Sequence, residues 1–225
     1  MKLKLTALAL LLGCGGGAPP QSQHGHHGQA HHHDFSDVER YAKWWDSAER
    51  DAWQKPDAVI ATLGLRPDSV VADIGAGTGY FALRMAKVLA KGRVFAVDVE
   101  PKMLEHLEAR AKEAGLTNVV PVLAAPDDPK LPETVDLVFV CNTYHHIDAR
   151  TPYFEALKAR LNPGGRLVIV DYRPDHDGPG PPRHARIALE QVVTELAAAG
   201  YEEVGRTTEL VDRQYIVSLK VKQTR

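Results

Sequence analysis

The run Val70-Val71-Ala72-Asp73-Ile74, followed by Gly75, Gly77 and Gly79 at alternate positions, restricts the fold more than any other part of the chain. A short apolar, β-branched run predicts a strand buried on both faces, and such strands belong to parallel sheets covered by helices. The three glycines predict a sharp turn into a helix running to about Ala90. Glycine there lets the backbone take conformations closed to other residues and lets a ligand approach the main chain without meeting a Cβ. Gly92 then predicts a helix end, and a second strand, Arg93 to Val97, finishes at Asp98. In dinucleotide-like sites an acid about 20 residues past such glycines accepts hydrogen bonds from ribose hydroxyls. The two motifs together predict a ligand that carries an adenosyl ribose.

The alternation continues. Pro101 opens a helix to Ala114 that Gly115 closes, and Val119 to Leu123 reads as a third strand. Val135 to Val140 is the fourth strand, Thr151-Pro152 starts a helix, and Leu161 to Gly165 reads as a helix exit and turn. Arg166 to Val170 is the fifth strand, and Ile187 to Ala199 is a helix ended by Gly200. Strands alternating with helices predict an α/β chain with a doubly wound parallel sheet. Ahead of it, Asp34 to Gly64 holds two helical stretches, the first with a Ser36/Glu39 capping box and the second with Pro56 near its start.

On Asp73-x-Gly75-x-Gly77-x-Gly79 and Asp98, the chain from Phe35 to its C-terminus resembles the class I S-adenosylmethionine-dependent methyltransferases, in particular the small-molecule, type 11/25-like branch. The resemblance implies a Rossmann-like, mostly parallel sheet preceded by N-terminal helices. The strands Tyr201 to Arg206 and Gln214 to Val221 would form its closing hairpin, the last strand antiparallel. It also implies S-adenosyl-L-methionine as cofactor, with Asp73, Gly75, Gly77 and Gly79 at the methionyl end and Asp98 on the ribose. The family often has an acid past the third strand that contacts adenine. Here Ala124-Ala125-Pro126-Asp127-Asp128 stands there, leaving Asp127 or Asp128. A nicotinamide-binding domain usually wants Gly-x-Gly-x-x-Gly, whereas here Tyr80 takes the later place, and Asp73 would repel a pyrophosphate.

Cys141-Asn142-Thr143-Tyr144-His145-His146 resembles the Asn-x-x-His-His stretch of the small-molecule enzymes and lacks the Asn-Pro-Pro-Tyr of those that methylate base amino groups. Strand ends of this kind bound the ligand crevice. The resemblance puts Asn142 with the cofactor and makes His145 or His146 the candidate base for an acceptor, imidazole being suited to proton transfer near neutral pH. Family helices before the first strand cover the cofactor and part of the substrate, which makes Tyr41, Trp44, Trp45 and Trp53 candidates. The loop after the fifth strand commonly faces the acceptor, which adds Asp171, Tyr172, His176 and His184. Plain aromatic packing and a plain connecting loop are the alternatives.

A formal net charge of −2, from 27 basic and 29 acidic side chains, gives no electrostatic footprint for nucleic acid. A small-molecule acceptor is what the resemblance to the small-molecule branch implies. Two cysteines make no disulfide framework. The N-terminus differs in kind from the rest: Met1-Lys2-Leu3-Lys4, an apolar stretch, then Leu11-Leu12-Gly13-Cys14. This resembles a bacterial lipoprotein signal peptide (residues 1–13), which implies lipidation at Cys14 and a place at the cell envelope. A chance apolar start on a cytoplasmic enzyme is the alternative. Residues 14–34 read as a flexible tether carrying His24, His26, His27, His31, His32 and His33, which is either capable of loose binding to Zn²⁺, Cu²⁺ or Ni²⁺ or a plain solvated linker. No acidic or thiol cluster completes a defined metal site. Residues 35–225 would then be the methyltransferase domain. Two other readings stand beside it: an anchored lipoprotein that binds an S-adenosyl ligand or metal without catalysis, and an NAD(P)-dependent oxidoreductase.

Overall fold

The computed structural model describes residues 37–178 and 180–223. Cys14, the six tether histidines and Ser36 lie outside them. Three helices precede the sheet: α1 (Val38–Trp45), α2 (Ala48–Gln54) and α3 (Pro56–Thr62). The Asp37 side chain caps α1 by accepting from Arg40 N–H, and Ser47 caps α2 through Arg50 N–H. Two helical stretches were expected here, and Pro56 is the reason there are three. It has no N–H to give and disfavours a helical residue before it. Lys55 accordingly turns left-handed (φ 49°), ending α2, and Pro56 becomes the first residue of α3.

The remaining elements are β1 (Val70–Ile74), α4 (Ala82–Val88), β2 (Arg93–Asp98), α5 (Pro101–Glu113), β3 (Val119–Leu123), β4 (Val135–Cys141), α6 (Arg150–Leu157), β5 (Leu161–Tyr172), α7 (Leu189–Ala198), β6 (Tyr201–Thr207) and β7 (Gln214–Val221). They form one seven-stranded sheet in the order β3-β2-β1-β4-β5-β7-β6. β1 to β5 run parallel, and β7 is antiparallel to both its neighbours. β5 begins earlier than expected, because Leu161 already pairs with Val135. The pairing then jumps to Leu137 with Arg166, so Asn162 to Gly165 bulge out of the ladder instead of ending it.

Alternate residues of each strand serve two cores. Ala72, Ile74, Val138, Val140, Leu167 and Ile169 pack with Phe154, Val192 and Leu196 of α6 and α7. Val71, Leu137, Phe139, Val168 and Val170 pack with Val59, Met85 and Leu107 of α3, α4 and α5. Both faces are thereby covered, as a parallel sheet requires. Strand order reverses between β1 and β4, and ligands of open α/β sheets bind outside the carboxyl ends of strands at that point. Because β7 runs the other way, its first residue, Gln214, pairs with Tyr172 and sits at the same sheet edge as the ends of β4 and β5.

Candidate active site

After β1 the chain turns over the end of β2. Gly75 and Ala76 N–H both donate to Val97 O (2.8 and 3.0 Å), and Gly77 N–H donates to Asp98 Oδ2 (2.8 Å). Gly75 has φ 76°, and a Cβ there would lie 2.1 Å from Thr143 Oγ1, so the first glycine is required twice over. Asp98 also accepts from Glu100 N–H (3.0 Å); burial raises its pKa against these two bonds. Asp73, at the end of β1, is buried with Oδ2 unpartnered. Burial first, then the charge on Asp98, push its pKa up to about 7, against the pull of Arg50.

That arginine comes from the helices laid over the turn. Its guanidinium stacks 3.7 Å from the Tyr80 ring centroid and donates to Trp45 O (3.0 Å), while its Nε is buried without a partner. Its charge also pulls down the pKa of Cys141 and Tyr172, both raised mainly by burial, so its field covers the ends of β1, β4 and β5. Asp46 accepts from the Thr78 hydroxyl (3.0 Å) and pairs with Arg110 (2.8 Å). Asp51 accepts from the Tyr80 hydroxyl (2.6 Å) and pairs with Arg84 (2.9 Å). The Trp45 ring lies 3.4 Å from where a Gly77 Cβ would stand.

At the ends of β4 and β5, His145 Nδ1 lies 2.9 and 3.0 Å from the two oxygens of Asp171, and His145 N–H donates to Oδ2 (3.3 Å). The Asp171 carboxylate is 1% exposed, and the His145 side chain 5%. A buried carboxylate only accepts, so Nδ1 carries the hydrogen and Nε2 is left as the basic atom. Tyr172 is an edge neighbour of the His145 ring (centroids 6.3 Å apart) and meets Trp53 on another side (6.1 Å).

Comparisons with known proteins bear on the domain and its fold. Residues 71–165 match the family model described as a methyltransferase domain. The crystal structure of a SAM-dependent methyltransferase from Aquifex aeolicus superposes with a TM-score of 0.76 at 25% identity, over 84% of this chain and 100% of that one. Residues 71–165 are thus a methyltransferase domain, and the fold is that of the S-adenosylmethionine-dependent enzymes. The tRNA U34 carboxymethyltransferase of Cellvibrio japonicus (strain Ueda107) is 33% identical over 126 residues, 55% of this chain and 38% of that protein. The 27-O-demethylrifamycin SV methyltransferase of Amycolatopsis mediterranei (strain S699) is 29% identical over 136 residues, 57% of this chain and 49% of that protein. The chain thus spans less than half the length of these curated relatives.

S-adenosyl-L-methionine is the cofactor of the domain, and the open valences of the site fit it. Its methionyl end is a zwitterion. Asp73 offers a buried oxygen without a donor, and Arg50 a buried N–H without an acceptor. Of the residues expected at the methyltransferase site, Asp73, the three glycines, Asp98, Asn142 and His145 gather at the strand ends. Asp171, expected to face an acceptor, instead stands buried behind His145. His146 is exposed with its ring 4.2 Å from that of His145, and the rings of Tyr41 and Trp45 pair at 4.9 Å. Asp127 and Asp128 are both exposed; Asp128 is used locally, accepting from Lys130 N–H (2.8 Å). His184 is exposed on the short turn Arg183–Ala185, and no hydrogen bond or ring contact among the described residues joins it to His145.

Four residues of the site gave no signal in the sequence. Arg50, Gln54 and Gln214 meet their partners only through the fold. Arg186 is nearly buried and donates to the carbonyls of Pro181 (2.9 Å), Arg173 (3.2 Å), His176 (2.5 Å) and Gly178 (3.2 Å). The Pro- and Gly-rich segment after β5 is therefore wound around one guanidinium, which also stands 5.4 Å over the Tyr172 ring.

Proposed function

We propose that the chain is an enzyme that methylates a hydroxyl group of a small-molecule acceptor, with His145 as general base. The observation that carries this reading is the buried His145–Asp171 pair at the strand ends beside the glycine turn. The cofactor, when bound, supplies an electrophilic methyl group on a sulfonium, so no metal is needed for the transfer. An alcohol or phenol is a weak nucleophile until its proton leaves. His145 Nε2 takes that proton as the oxygen bonds to carbon, and Asp171 holds the ring in the tautomer that can accept it and stabilises the imidazolium formed. Trp53 and Tyr172 offer flat apolar walls that orient an acceptor, and alignment alone can supply an effective molarity of roughly 10⁵ M or more.

A small acceptor is favoured over tRNA by the chain's charge, −2 with no basic excess. An oxidoreductase reading is disfavoured by Asp73, whose unpartnered oxygen beside the glycines suits an ammonium and not a pyrophosphate. The test is transfer of labelled methyl from S-adenosylmethionine to alcohols, phenols, thiols, amines and bulk tRNA. His145→Gln should lower turnover on the preferred acceptor by about 10²–10⁴-fold. Asp171→Asn should also lower it, with S-adenosylhomocysteine binding kept in both. Labelling of tRNA alone, or full activity in His145→Gln, would refute the reading.

A further inference from the structure

The helices over the cofactor site are attached in an unusual way. Together α1 and α2 bury one side chain, and it is polar: Gln54, with no exposed surface. The next helix, α3, is held by buried Val59 and Ile60. Residues 37–55 thus rest on the domain through the polar contacts of Asp46, Asp51 and Gln54, the stack of Arg50 on Tyr80 and the half-buried rings of Trp45 and Trp53, while α3 belongs to the core. The joint between the two is Lys55, a left-handed residue with no glycine's freedom.

Gln54 enters a closed ring of three amides. Its Nε2 donates to Gln214 Oε1, Gln214 Nε2 donates to Asn142 Oδ1, and Asn142 Nδ2 reaches back to Gln54 Oε1 at 3.5 Å. Gln214 is also fully buried, and Asn142 is itself left-handed, with φ 58°. Each member must both donate and accept, which a carboxylate or an apolar isostere cannot do. The ring therefore joins α2 to the ends of β4 and β7 at one specific height and register. Arg50 lies four residues before Gln54, on the same face of α2.

We propose that Gln54 is a positioning residue for cofactor binding: the amide ring locks the end of α2 onto the strand ends and thereby holds Arg50 over the methionyl site opposite Asp73. The proposal rests on the reading of Arg50 and Asp73 as the two ends of a zwitterion cradle. Released from the ring, residues 37–55 would swing about Lys55, and Arg50 would leave the site with them.

The experiment is a double-mutant cycle on the full chain, with S-adenosylhomocysteine as probe and calorimetry as readout. Gln54→Met keeps the length and removes the amide; it should weaken binding by about tenfold or more, as loss of a bond to a charged group does. Arg50→Ala should weaken it similarly, and the double variant should bind no worse than the weaker single one, because Gln54 acts through Arg50. Gln214→Met, which breaks the ring from the strand side, should reproduce Gln54→Met. Hydrogen exchange should rise over residues 38–54 and stay low in β1 and β4. Multiplying losses in the double variant, or wild-type affinity in both Met variants, would overturn the proposal while leaving the cofactor site standing. A wild type that binds no S-adenosylhomocysteine would overturn both.

Discussion

If Asp73 receives the methionyl ammonium, its buried carboxylate makes cofactor binding a proton-release event. In the ligand-free domain, burial and the nearby Asp98 charge hold its pKa at about 7 instead of the ordinary 3.8. The unfolded chain loses this proton near 3.8 and the folded chain keeps it to about 7, so between those values the folded state binds more protons and stability falls as pH rises. The full cost above pH 7 is roughly 4 kcal/mol, at about 1.4 kcal/mol per pH unit. A methionyl ammonium beside Oδ2 favours the ionised form and removes much of that cost. Below pH 7, binding must therefore expel the proton. The affinity for S-adenosylhomocysteine should rise about 25-fold between roughly pH 5.5 and 7.5 and then level off. Calorimetry at about pH 6 should give enthalpies that vary with the buffer's ionisation heat, corresponding to about 0.9 proton released, and at pH 8 to about 0.1. Asp73→Asn should flatten the pH profile and remove the buffer dependence near pH 6. Buffer-independent enthalpy at that pH in the wild type, with affinity flat across the range, would refute the assignment of Asp73 to the ammonium.

Other expectations concern single positions. Asp98→Ala should weaken S-adenosylhomocysteine binding by about 1.5–3 kcal/mol, the scale of hydrogen bonds to a charged group, and calorimetry measures it directly. Gly75→Ala places a Cβ 2.1 Å from Thr143 Oγ1 at a left-handed residue, so thermal unfolding should show a loss of at least about 1–2 kcal/mol that Thr143→Ala relieves only in part. If Cys14 is the lipidated residue, wild-type protein should partition to membranes and incorporate labelled palmitate, and Cys14→Ser should remain an unprocessed precursor. An intact N-terminus on soluble wild-type protein would refute the anchor.

What could be seen in the sequence and what could not divide along a physical line. The strands, the glycine turn, Asp98 and the Asn142–His146 stretch are local: apolar runs of the right length, glycines at fixed spacing and an acid at a strand end carry their meaning within about 25 residues. Asp171 was visible as a strand-end acid, but its role was not, because facing an acceptor and backing a histidine place the same residue at the same strand end. Only the turn after the neighbouring strand, 26 residues earlier in the chain, decides between them by presenting His145 Nδ1 to both carboxylate oxygens. Gln54 and Gln214 lie 160 residues apart and are amides, a type common on any surface, so nothing local marks either. The same holds for Arg50, which reads as one more charge on a polar helix until the fold sets it beside Asp73 and Cys141. Residues whose function is to hold others have no motif of their own, since a motif requires ligand geometry to be imposed on one continuous segment. Gln54 and Gln214, the two amides proposed to hold Arg50, come from an N-terminal helix and the antiparallel last strand. Variation in those two segments should therefore change cofactor affinity through Arg50 while leaving the glycine turn and Asp98 as they are.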